Sequence, residues 1–584
     1  MPDVATNPAV EAAEAARERI HSCIDEGKSF LVEAGAGAGK TYSLVEALKH
    51  VIDKQGAELV RRHQQVACIT YTNVASDEIT SRTDGHPAIL SSTIHSFCWS
   101  LIRSFQPDLR KAVAELENWK ERLEETDGVG NRRVDYDLGY PSVKDDLILL
   151  GHNDVLAIAV KLMEHVKFRT VLLSRHPIIF IDEYQDTDAA VAKALCTHFL
   201  GDGPRPLLGF FGDHWQKIYR GVCGQIKHDG LEFIGKEANF RSVQAVVDVL
   251  NRIRPELPQR VVDPGAQGSV GVYHTNEWQG ERGTGAHYGG DLPAPAARAY
   301  LHSLREQLAS ESWDFAPAIT KILILTHNSI AAEQGYSGIA AVFQGRSESY
   351  IQKEDPHIAF FVDVLEPVCI AYGEQRFGDM FAVMGTRTPH IRRHADKDSW
   401  GSDLQALMTL RQTGTIGQVI DHLRTTQRPR LSESVERKER ELENATEEAD
   451  DDETAKLDRL RALRDLQYPE VIALAEFLDD KTPFSTKHGV KGAEFENVLV
   501  VAGRGWNLYN FNHFLEWAGA GTIPANKQDA FERNRNLYYV SFSRPKKRLA
   551  VLVTQVLSEQ ALETLRGWFG GEAIRPMGQL DGAT

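Results

Sequence analysis

Residues 30–41 read FLVEAGAGAGKT, and this stretch decides the fold of the chain around it. The apolar residues 30–32 predict a buried strand, the small residues after them predict a tight loop, and residues 43–50 have the pattern of a helix. A loop with almost no side chains can turn its N–H groups inward around an anion, and the positive end of the next helix adds to the attraction. The stretch therefore predicts a phosphate-binding loop.

This loop indicates a nucleoside triphosphate as the ligand. Lys40 is placed to reach the terminal phosphates, and the Thr41 hydroxyl is placed to take one position on Mg²⁺. Ala34 stands where the motif usually has its first glycine, and a small residue there still allows the turn. The residues expected to cradle the phosphates are Ala34, Gly35, Ala36, Gly37, Ala38, Gly39, Lys40 and Thr41. The alternative is a helix N-terminus rich in small residues that carries a lysine by chance.

The composition is typical of a soluble protein with several folding units. A length of 584 residues is too great for one core and suggests about three or four units. No uninterrupted apolar run approaches the roughly 20 residues of a membrane helix, residues 1–16 lack the pattern of a signal peptide, and the six cysteines include no C-x-x-C pair. We therefore expect a cytoplasmic protein with no membrane association, no zinc site and no iron–sulfur cluster.

The net charge of −16 restricts how nucleic acid could bind. A protein that binds DNA or RNA through a broad basic face usually has an excess of Lys and Arg. We therefore expect any nucleic acid to be held in a local channel by hydroxyls, amides and a few cations.

A pair of acids follows a second apolar strand. Residues 178–181 are Ile-Ile-Phe-Ile, and Asp182 and Glu183 come next. Two carboxylates at the end of a buried strand are costly unless a cation or a proton transfer uses them. We expect Asp182 to hold Mg²⁺ and Glu183 to polarise the attacking water. The alternative is a solvated acidic turn.

Polar side chains follow other strands of the predicted sheet. Thr72 and Asn73 come after the strand at 66–71, and Thr93 and His95 open a later helix. The carboxyl ends of parallel strands form the edge of an open α/β sheet where ligands bind. Either cluster by itself is also explained as a helix cap.

Two further segments carry candidate phosphate contacts. Residues 207–211 predict a strand that leads into Trp215 and Gln216, and Arg241 follows a tight polar turn. An arginine in that position can reach a phosphate charge from outside the loop, although a surface ion pair is the alternative. Trp215 either stacks on a base or packs in the core.

In this order the motifs resemble those of superfamily 1A helicases, the UvrD/Rep/PcrA group. The matching segments are 34–41, 72–73, 93–97, 182–186, 212–219, 239–242, 486–496 and 535–544. Eight segments in the family's order make chance agreement negligible. The resemblance implies an α/β fold with two RecA-like P-loop domains, whose parallel sheets are flanked by helices and which each carry a helical insertion. It also implies ATP between the domains and single-stranded nucleic acid across their tops.

The resemblance implies roles for individual residues. Gln216 would sense the γ-phosphate, and Arg241 and Arg544 would contact it from the second domain. Phe240, where the family usually has Tyr, would stack on the base, and Glu494 would contact the ribose or its neighbourhood. The residues implied along the nucleic-acid strand are Thr72, Asn73, Thr93, His95 and His488.

The resemblance also divides the chain into segments. They are 1–105 and 171–238 for the first RecA-like domain, 106–170 for its helical insertion, 239–335 and 467–584 for the second RecA-like domain, and 336–466 for a reduced helical insertion with an acidic segment. Within the first insertion, the polar residues 126–140 predict a loop. The family's adenine-selecting Gln is missing, because no Gln occurs before Gln55.

Three functions remain open at this point. The resemblance implies a DNA helicase or translocase of 3′–5′ polarity, with Mg-dependent ATP hydrolysis stimulated by single-stranded DNA or a duplex with a single-stranded tail. The short, acidic chain with reduced insertions also resembles the helicase-like subunit of Gabija anti-phage systems, which would act with a partner nuclease. A DNA-repair helicase without a fixed partner is the third alternative.

Overall fold

The computed structural model describes residues 7–579 except 138–140, 202–204, 220, 286–288, 325–326, 345–346, 386–387, 390, 445–450, 486–491 and 505–508. The chain forms two compact units. Unit 1 comprises Met1–Gly271, His513–Leu549 and Glu559–Ile574, and unit 2 comprises Val272–Asn512, Ala550–Ser558 and Arg575–Thr584. The domain boundaries inferred from the family resemblance stay predictions.

The strands of the described chain alternate with helices in the order expected of an α/β protein. They are β1 (Phe30–Ala34), β2 (Val66–Thr70), β3 (Ile89–Thr93), β4 (Arg133–Tyr136), β5 (Ser142–Val143), β6 (Leu147–Leu150), β7 (Ile178–Asp182), β8 (Leu207–Gly212), β9 (Glu232–Lys236), β10 (Ala238–Asn239), β11 (Arg260–Val261), β12 (Ser269–His274), β13 (Thr320–Ile324), β14 (Phe484–Ser485), β15 (Phe495–Ala502), β16 (Pro545–Val553) and β17 (Ile574–Pro576).

The helices are concentrated in the first 200 residues and in the middle of unit 2. They are α1 (Pro8–Asp25), α2 (Lys40–Arg61), α3 (Asn73–Arg82), α4 (Ile94–Ile102), α5 (Gln106–Glu115), α6 (Lys120–Glu124), α7 (His152–Met163), α8 (Val166–Arg175), α9 (Ala189–Phe199), α10 (Gln244–Ile253), α11 (Ala294–Ser310), α12 (His327–Gln334), α13 (Ser337–Val342), α14 (Ser347–Ile351), α15 (Pro356–Phe360), α16 (Glu366–Gly373), α17 (Phe377–Met384), α18 (His394–Thr413), α19 (Ile416–Thr426), α20 (Glu433–Glu443), α21 (Asp451–Asp465), α22 (Pro469–Leu478), α23 (Phe511–Ala520), α24 (Gln528–Phe542) and α25 (Glu559–Phe569).

The main sheet of unit 1 has six strands in the order β3-β2-β7-β8-β1-β9, and every neighbouring pair is parallel. Strands β1, β2, β7 and β8 are buried along their whole length, which is why they read as continuous apolar runs rather than alternating ones. Since β8 lies between β1 and β7, the phosphate loop and the acid pair leave the sheet at the same edge.

The segment 106–170 is only partly helical. Trp119 is buried in the core of this region. The loop predicted for residues 126–140 is wrong over Arg133–Tyr136, because these residues form β4, which pairs in parallel with β6 in a three-stranded sheet. The polar residues of this short edge strand do not form a strand pattern by themselves, because the strand is stabilised by pairing with the apolar strand β6.

Unit 2 has its own sheet and a large helical part. The sheet order is β14-β13-β15-β16-β12-β17, and β13 pairs in parallel with both β14 and β15. Parallel sheets flanked by helices in a mixed α/β chain agree with the fold of two RecA-like domains with helical insertions.

One helical stretch in unit 2 passes a length and composition test for a membrane helix. In the described part of the chain, Ser349–Gly373 is the segment that meets this test, and 56% of its apolar window is buried inside the protein. A buried core helix of a soluble protein has the same properties, so this stretch is weak grounds for a membrane span.

Candidate nucleotide site

The phosphate loop has a backbone that requires its glycines. Gly37 and Gly39 have φ angles of 78° and 73°, in the left-handed region that side chains disfavour. A Cβ at Gly37 would lie 2.8 Å from Asn239 Oδ1, and a Cβ at Gly35 would lie 2.6 Å from Gln259 Nε2. Backbone conformation and close neighbours therefore both exclude larger residues here.

The loop is held in shape by donors from outside it. Asn239 Nδ2 and Gln259 Nε2 both donate to the Ala36 carbonyl at 3.1 Å, and the Phe240 N–H donates to the Gly37 carbonyl at 2.9 Å. Because the C=O and N–H of a trans peptide point in opposite directions, fixing the Ala36 carbonyl turns the Gly37 N–H to the other side of the loop. That orientation suits an anion-binding loop.

The acid pair lies next to the loop lysine. Lys40 Nζ is 3.7 Å from Glu183 Oε1, and the Glu183 N–H donates to Asp182 Oδ1 at 3.0 Å. Glu183 also has a left-handed backbone, with φ of 47°, a strained conformation that clusters at functional sites.

The electrostatics of Asp182 suit a cation. Burial, and then the neighbouring Glu183, raise the pKa of Asp182 to about 7. A divalent cation would stabilise the ionised form of such a carboxyl group, and oxygen ligands are those that Mg²⁺ prefers. The chemistry of Asp182 therefore fits a Mg²⁺ ion, and the assignment of Asp182 and Thr41 as its ligands stays a prediction.

Gln216 links the acid-rich edge of the sheet to an arginine. Its Nε2 donates to Asp213 Oδ2 at 2.8 Å, and its Oε1 accepts from Arg544 Nη2 at 3.3 Å. The Asp213 N–H in turn donates to Gln185 Oε1 at 2.9 Å. The side chain of Gln216 is thus oriented by a carboxylate on one side and a guanidinium on the other.

Arg241 and Arg544 lie close together in unit 1, which also contains Lys40. Arg241 Nη1 donates to the Ser543 carbonyl at 3.0 Å, and Arg544 Nε donates to the Val540 carbonyl at 3.0 Å. Burial, and then the charge of Arg241, lower the pKa of Arg544 to about 9. Because each guanidinium group repels the other, the binding of an anion that contacts both of them is favoured.

A buried ion network beneath the site was not predicted from the sequence. Glu33 accepts from Tyr184 Oη at 2.6 Å, from His214 Nδ1 at 2.7 Å and from Arg254 Nη2 at 2.8 Å. Arg254 Nη1 also donates to Asp213 Oδ1 at 2.7 Å. Although burial opposes it, the hydrogen bond and charge of His214 and the charge of Arg254 hold the pKa of Glu33 at about 2.

This network resembles a metal site only in part. One ligand atom each from Glu33, Asp213 and His214 lies within 4.8 Å of the others. The guanidinium of Arg254 already bonds to both carboxylates, however, and supplies the positive charge that a metal would bring. We therefore interpret the cluster as a structural support for β1 and β8.

The residues expected along the nucleic-acid strand lie at the ends of adjacent strands. Thr72 caps α3 by accepting from the Ala75 N–H at 3.2 Å, and Thr93 caps α4 by accepting from the Ser96 N–H at 3.4 Å. The helix-cap interpretation is thus confirmed for both threonines. Asn73 is the first, exposed residue of α3, and its contact with nucleic acid stays a prediction.

Aromatic rings stand beside these caps. His95 stacks on His152, with ring centroids 3.7 Å apart, and burial, followed by the charge of His152, lowers the pKa of His95 to about 4. Tyr71, which precedes the α3 cap, stacks on Tyr219 at 5.4 Å. Stacked rings at the ligand-binding edge of the sheet are suited to contact bases.

The remaining predicted residues are distributed over both units. Phe240 is half exposed in unit 1, and Glu494 is an exposed residue just before β15 in unit 2. His488 lies outside the described residues. Trp215 is buried against Tyr539, with ring centroids 5.2 Å apart, so the core-packing interpretation of this tryptophan is confirmed.

Comparison with known proteins supports a helicase-like chain. Residues 17–222 match the family model of an AAA domain. The chain is similar to the Gabija protein GajB of Bacillus cereus strain HuB5-5, with 25% identity over 91% of this chain and 94% of that protein, and to GajB of strain VD045, with 29% identity over 35% of this chain and 40% of that protein. It is also similar to the ATP-dependent DNA helicase PcrA of Staphylococcus aureus strain Mu50, with 23% identity over 38% of this chain and 37% of PcrA.

Proposed function

We propose that this chain, a helicase-like protein with similarity to GajB and to PcrA, is a Mg-dependent ATP hydrolase stimulated by single-stranded DNA. The observation that carries the proposal is the convergence of Lys40, Glu183, Gln216, Arg241 and Arg544 around one phosphate loop within unit 1. Their charges and donors match what phosphoryl transfer requires, which is positioning and electrostatic stabilisation.

Each residue has a distinct task in this proposal. Lys40 and the loop N–H groups bind the phosphates, Glu183 orients the attacking water, and Arg241 and Arg544 stabilise the charge that develops on the transferred phosphoryl group. A Mg²⁺ ion held by Thr41 and Asp182 would neutralise phosphate charge when bound.

Gln216 connects nucleotide chemistry to the rest of the chain. Because it bonds to Asp213 and Arg544 together, a γ-phosphate that attracted Arg544 would also change the contacts of Gln216. Hydrolysis would then be coupled to movement of the two RecA-like domains. The resemblance to superfamily 1A helicases adds to the proposal a 3′–5′ direction of translocation and a cytoplasmic location.

Single-stranded DNA would bind at the edge of the sheet that carries Thr72, Asn73, Thr93 and His95. Hydroxyl, amide and stacking groups are available there, and such contacts do not depend on base identity. A contribution of His488 and Glu494 to the DNA and ribose contacts is part of the same proposal.

A second function is favoured by the extent of the similarity to GajB. That similarity covers nearly the whole of both chains, whereas the similarity to PcrA covers little more than a third of each. The chain would then act as the nucleotide-hydrolysing subunit of an anti-phage defence complex together with a partner nuclease.

ATP hydrolysis by the purified chain, measured with and without single-stranded DNA, tests the proposal. We expect DNA to raise the rate, and Lys40→Ala to abolish it because the phosphates lose their cation. Lys54→Met, on the exposed face of the same helix, is the matched control and should retain the wild-type rate. A rate that Lys40→Ala leaves unchanged would refute the assignment, and co-purification with a nuclease would favour the defence complex.

A further inference from the structure

Gln216 lies in a short 3₁₀ turn, His214–Gln216, that follows β8. The Gln216 N–H donates to the Asp213 carbonyl at 2.8 Å, whereas the Lys217 N–H reaches the His214 carbonyl only at 3.4 Å. A single turn of this kind has few backbone hydrogen bonds, and their geometry is poorer than in an α-helix. The conformation of the turn therefore depends on contacts from other parts of unit 1.

Asn536, in the middle of α24, supplies two of these contacts. Its Nδ2 group donates to the His214 carbonyl at 3.3 Å and to the Lys217 carbonyl at 3.1 Å. These two carbonyl groups stand before and after the pair Trp215 and Gln216 in the chain. One side-chain amide thus holds both ends of the segment that carries Gln216.

The orientation of the Asn536 amide is fixed by its other partner. Oδ1 accepts from Arg535 Nε at 3.1 Å and from Arg535 Nη2 at 3.0 Å. Since a guanidinium group only donates and a backbone carbonyl only accepts, the reversed amide would lose all of these bonds. Asn536 is 5% exposed, and a buried donor that loses its acceptor is costly.

The helix that carries Asn536 also determines where Arg544 lies. Arg544 follows α24, donates through Nε to the Val540 carbonyl of that helix at 3.0 Å, and donates through Nη2 to Gln216 Oε1. Arg535 adds a side-chain contact, because its guanidinium lies 4.3 Å from the ring centroid of Trp215. One helix therefore fixes Gln216 and Arg544 relative to each other.

We propose that Asn536 is a positioning residue for ATP hydrolysis and acts through Gln216. By holding the turn against α24, it keeps the Gln216 amide between Asp213 and Arg544. A misplacement of about 1 Å at a catalytic group can reduce the rate by about 10²-fold. The inference rests on the proposed hydrolysis of ATP and adds to it a residue that does not itself touch the substrate.

The test measures kcat and KM for ATP, at saturating single-stranded DNA, in the wild type and in Asn536→Leu. Leucine keeps a branched side chain and has no hydrogen-bonding group. We expect kcat to fall at least about tenfold, equivalent to about 1.4 kcal/mol. KM should change by less than about threefold, because Asn536 bonds to the turn and to Arg535 rather than to the phosphate loop.

Asn536→Asp tests the same contact if the leucine variant does not fold. Aspartate keeps the size of the side chain and the acceptor for Arg535, but it presents an oxygen instead of a donor to the two carbonyls of the turn. We expect kcat to fall here as well. A wild-type kcat in either folded variant, or a rise in KM without a fall in kcat, would overturn the inference.

A double-mutant cycle with Gln216→Ala separates positioning from a general loss of structure. If Asn536 acts through Gln216, Asn536→Leu should lower kcat by less than about twofold once Gln216 has been removed. Losses that multiply in the double variant would indicate a merely structural role and overturn the inference. A wild-type kcat in Gln216→Ala would overturn it too, since Gln216 would then have no effect to transmit.

Asn276→Leu is the matched control, because this amide also bonds to backbone on two sides but lies in unit 2. Asn276 Nδ2 donates to the Leu557 carbonyl at 2.8 Å, and Oδ1 accepts from the Leu557 N–H at 2.9 Å. Its replacement should leave kcat unchanged, and an equal loss would overturn the inference. A wild-type chain that hydrolyses no ATP would overturn the proposed function, whereas hydrolysis with a kcat indifferent to Asn536 would overturn this inference alone.

Discussion

Replacing Arg254 with methionine would leave two buried carboxylates without the cation that they share. Glu33 and Asp213 are almost completely inaccessible, and Arg254 bonds to both of them at 2.8 and 2.7 Å. Its guanidinium also lies over the rings of Trp215 and Tyr539, 5.0 and 5.6 Å from their centroids. Methionine preserves much of the aliphatic bulk and removes the charge.

The expected loss follows from the cost of an unpaired buried charge. Breaking a buried ion pair by removing one partner lowers the free energy of unfolding by about 3–5 kcal/mol. A loss of 1 kcal/mol lowers the melting temperature of a domain of 150–250 residues by about 2–4 °C, and by somewhat less in a larger domain such as unit 1. We therefore expect the thermal midpoint of Arg254→Met to fall by at least about 5 °C.

Thermal melting followed by circular dichroism measures this loss, and the matched control is Arg252→Met. Arg252 lies two residues earlier, in the last turn of α10, which ends just before Arg254; it is exposed and donates to the Trp568 carbonyl at 2.9 Å. Its replacement should change stability by no more than about 0.5 kcal/mol. Equal losses in the two variants would refute the argument from buried charge.

The loss of stability in Arg254→Met should also depend on pH, in a direction set by the pKa of Glu33. In the wild type, the depressed pKa of Glu33 contributes stability that is present above the ordinary value of 4.5 and is lost as the pH falls toward 2. Without Arg254 the pKa of Glu33 rises, because burial remains and one favourable charge is gone. The difference in stability between the wild type and Arg254→Met should therefore narrow as the pH is lowered from about 4.5 toward 2.

Two predictions concern the nucleotide site directly. Glu183→Gln should retain nucleotide binding, measured by equilibrium titration, and lose about 10²–10⁴-fold in kcat. The reason is that the amide cannot take the proton of the attacking water. A loss of binding without a loss of kcat would contradict the role of Glu183. Gly37→Ala should weaken nucleotide binding by at least about tenfold, equivalent to about 1.4 kcal/mol, since its Cβ would lie 2.8 Å from Asn239 Oδ1 at a φ of 78°. Gly378→Ala, where a Cβ meets nothing within 4 Å, is the control, and unchanged binding by Gly37→Ala would show that the loop tolerates a side chain.

The sequence was sufficient wherever a pattern of neighbouring residues carries the chemistry. The strand and glycine loop that lead to Lys40, and the acid pair at the end of β7, each lie in a short run of consecutive residues, and the structure has those elements at those places. Apolar runs also located the buried strands of the main sheet. The short strand β4 escaped because its polar residues are held by a partner strand rather than by their own pattern.

Contacts between distant parts of the chain could not be read in this way. Gln259 reaches the Ala36 carbonyl across 223 positions of sequence, and Arg254 reaches Glu33 across 221. A glutamine or an arginine in a helix or loop has no local pattern that indicates such a partner. Lys236 could not be singled out from the sequence either. Lysines are common on protein surfaces, and this one is unusual only because it is buried.

The sequence by itself determined that the chain has a phosphate loop, an acid pair and parallel α/β sheets, because backbone conformation and strand burial follow from local residue types. Tertiary structure alone decided which side chains shape the loop, neutralise the buried acids and hold the turn that carries Gln216. The order of the strands brings these groups together, and their burial sets the strength of their charges by removing the screening of water.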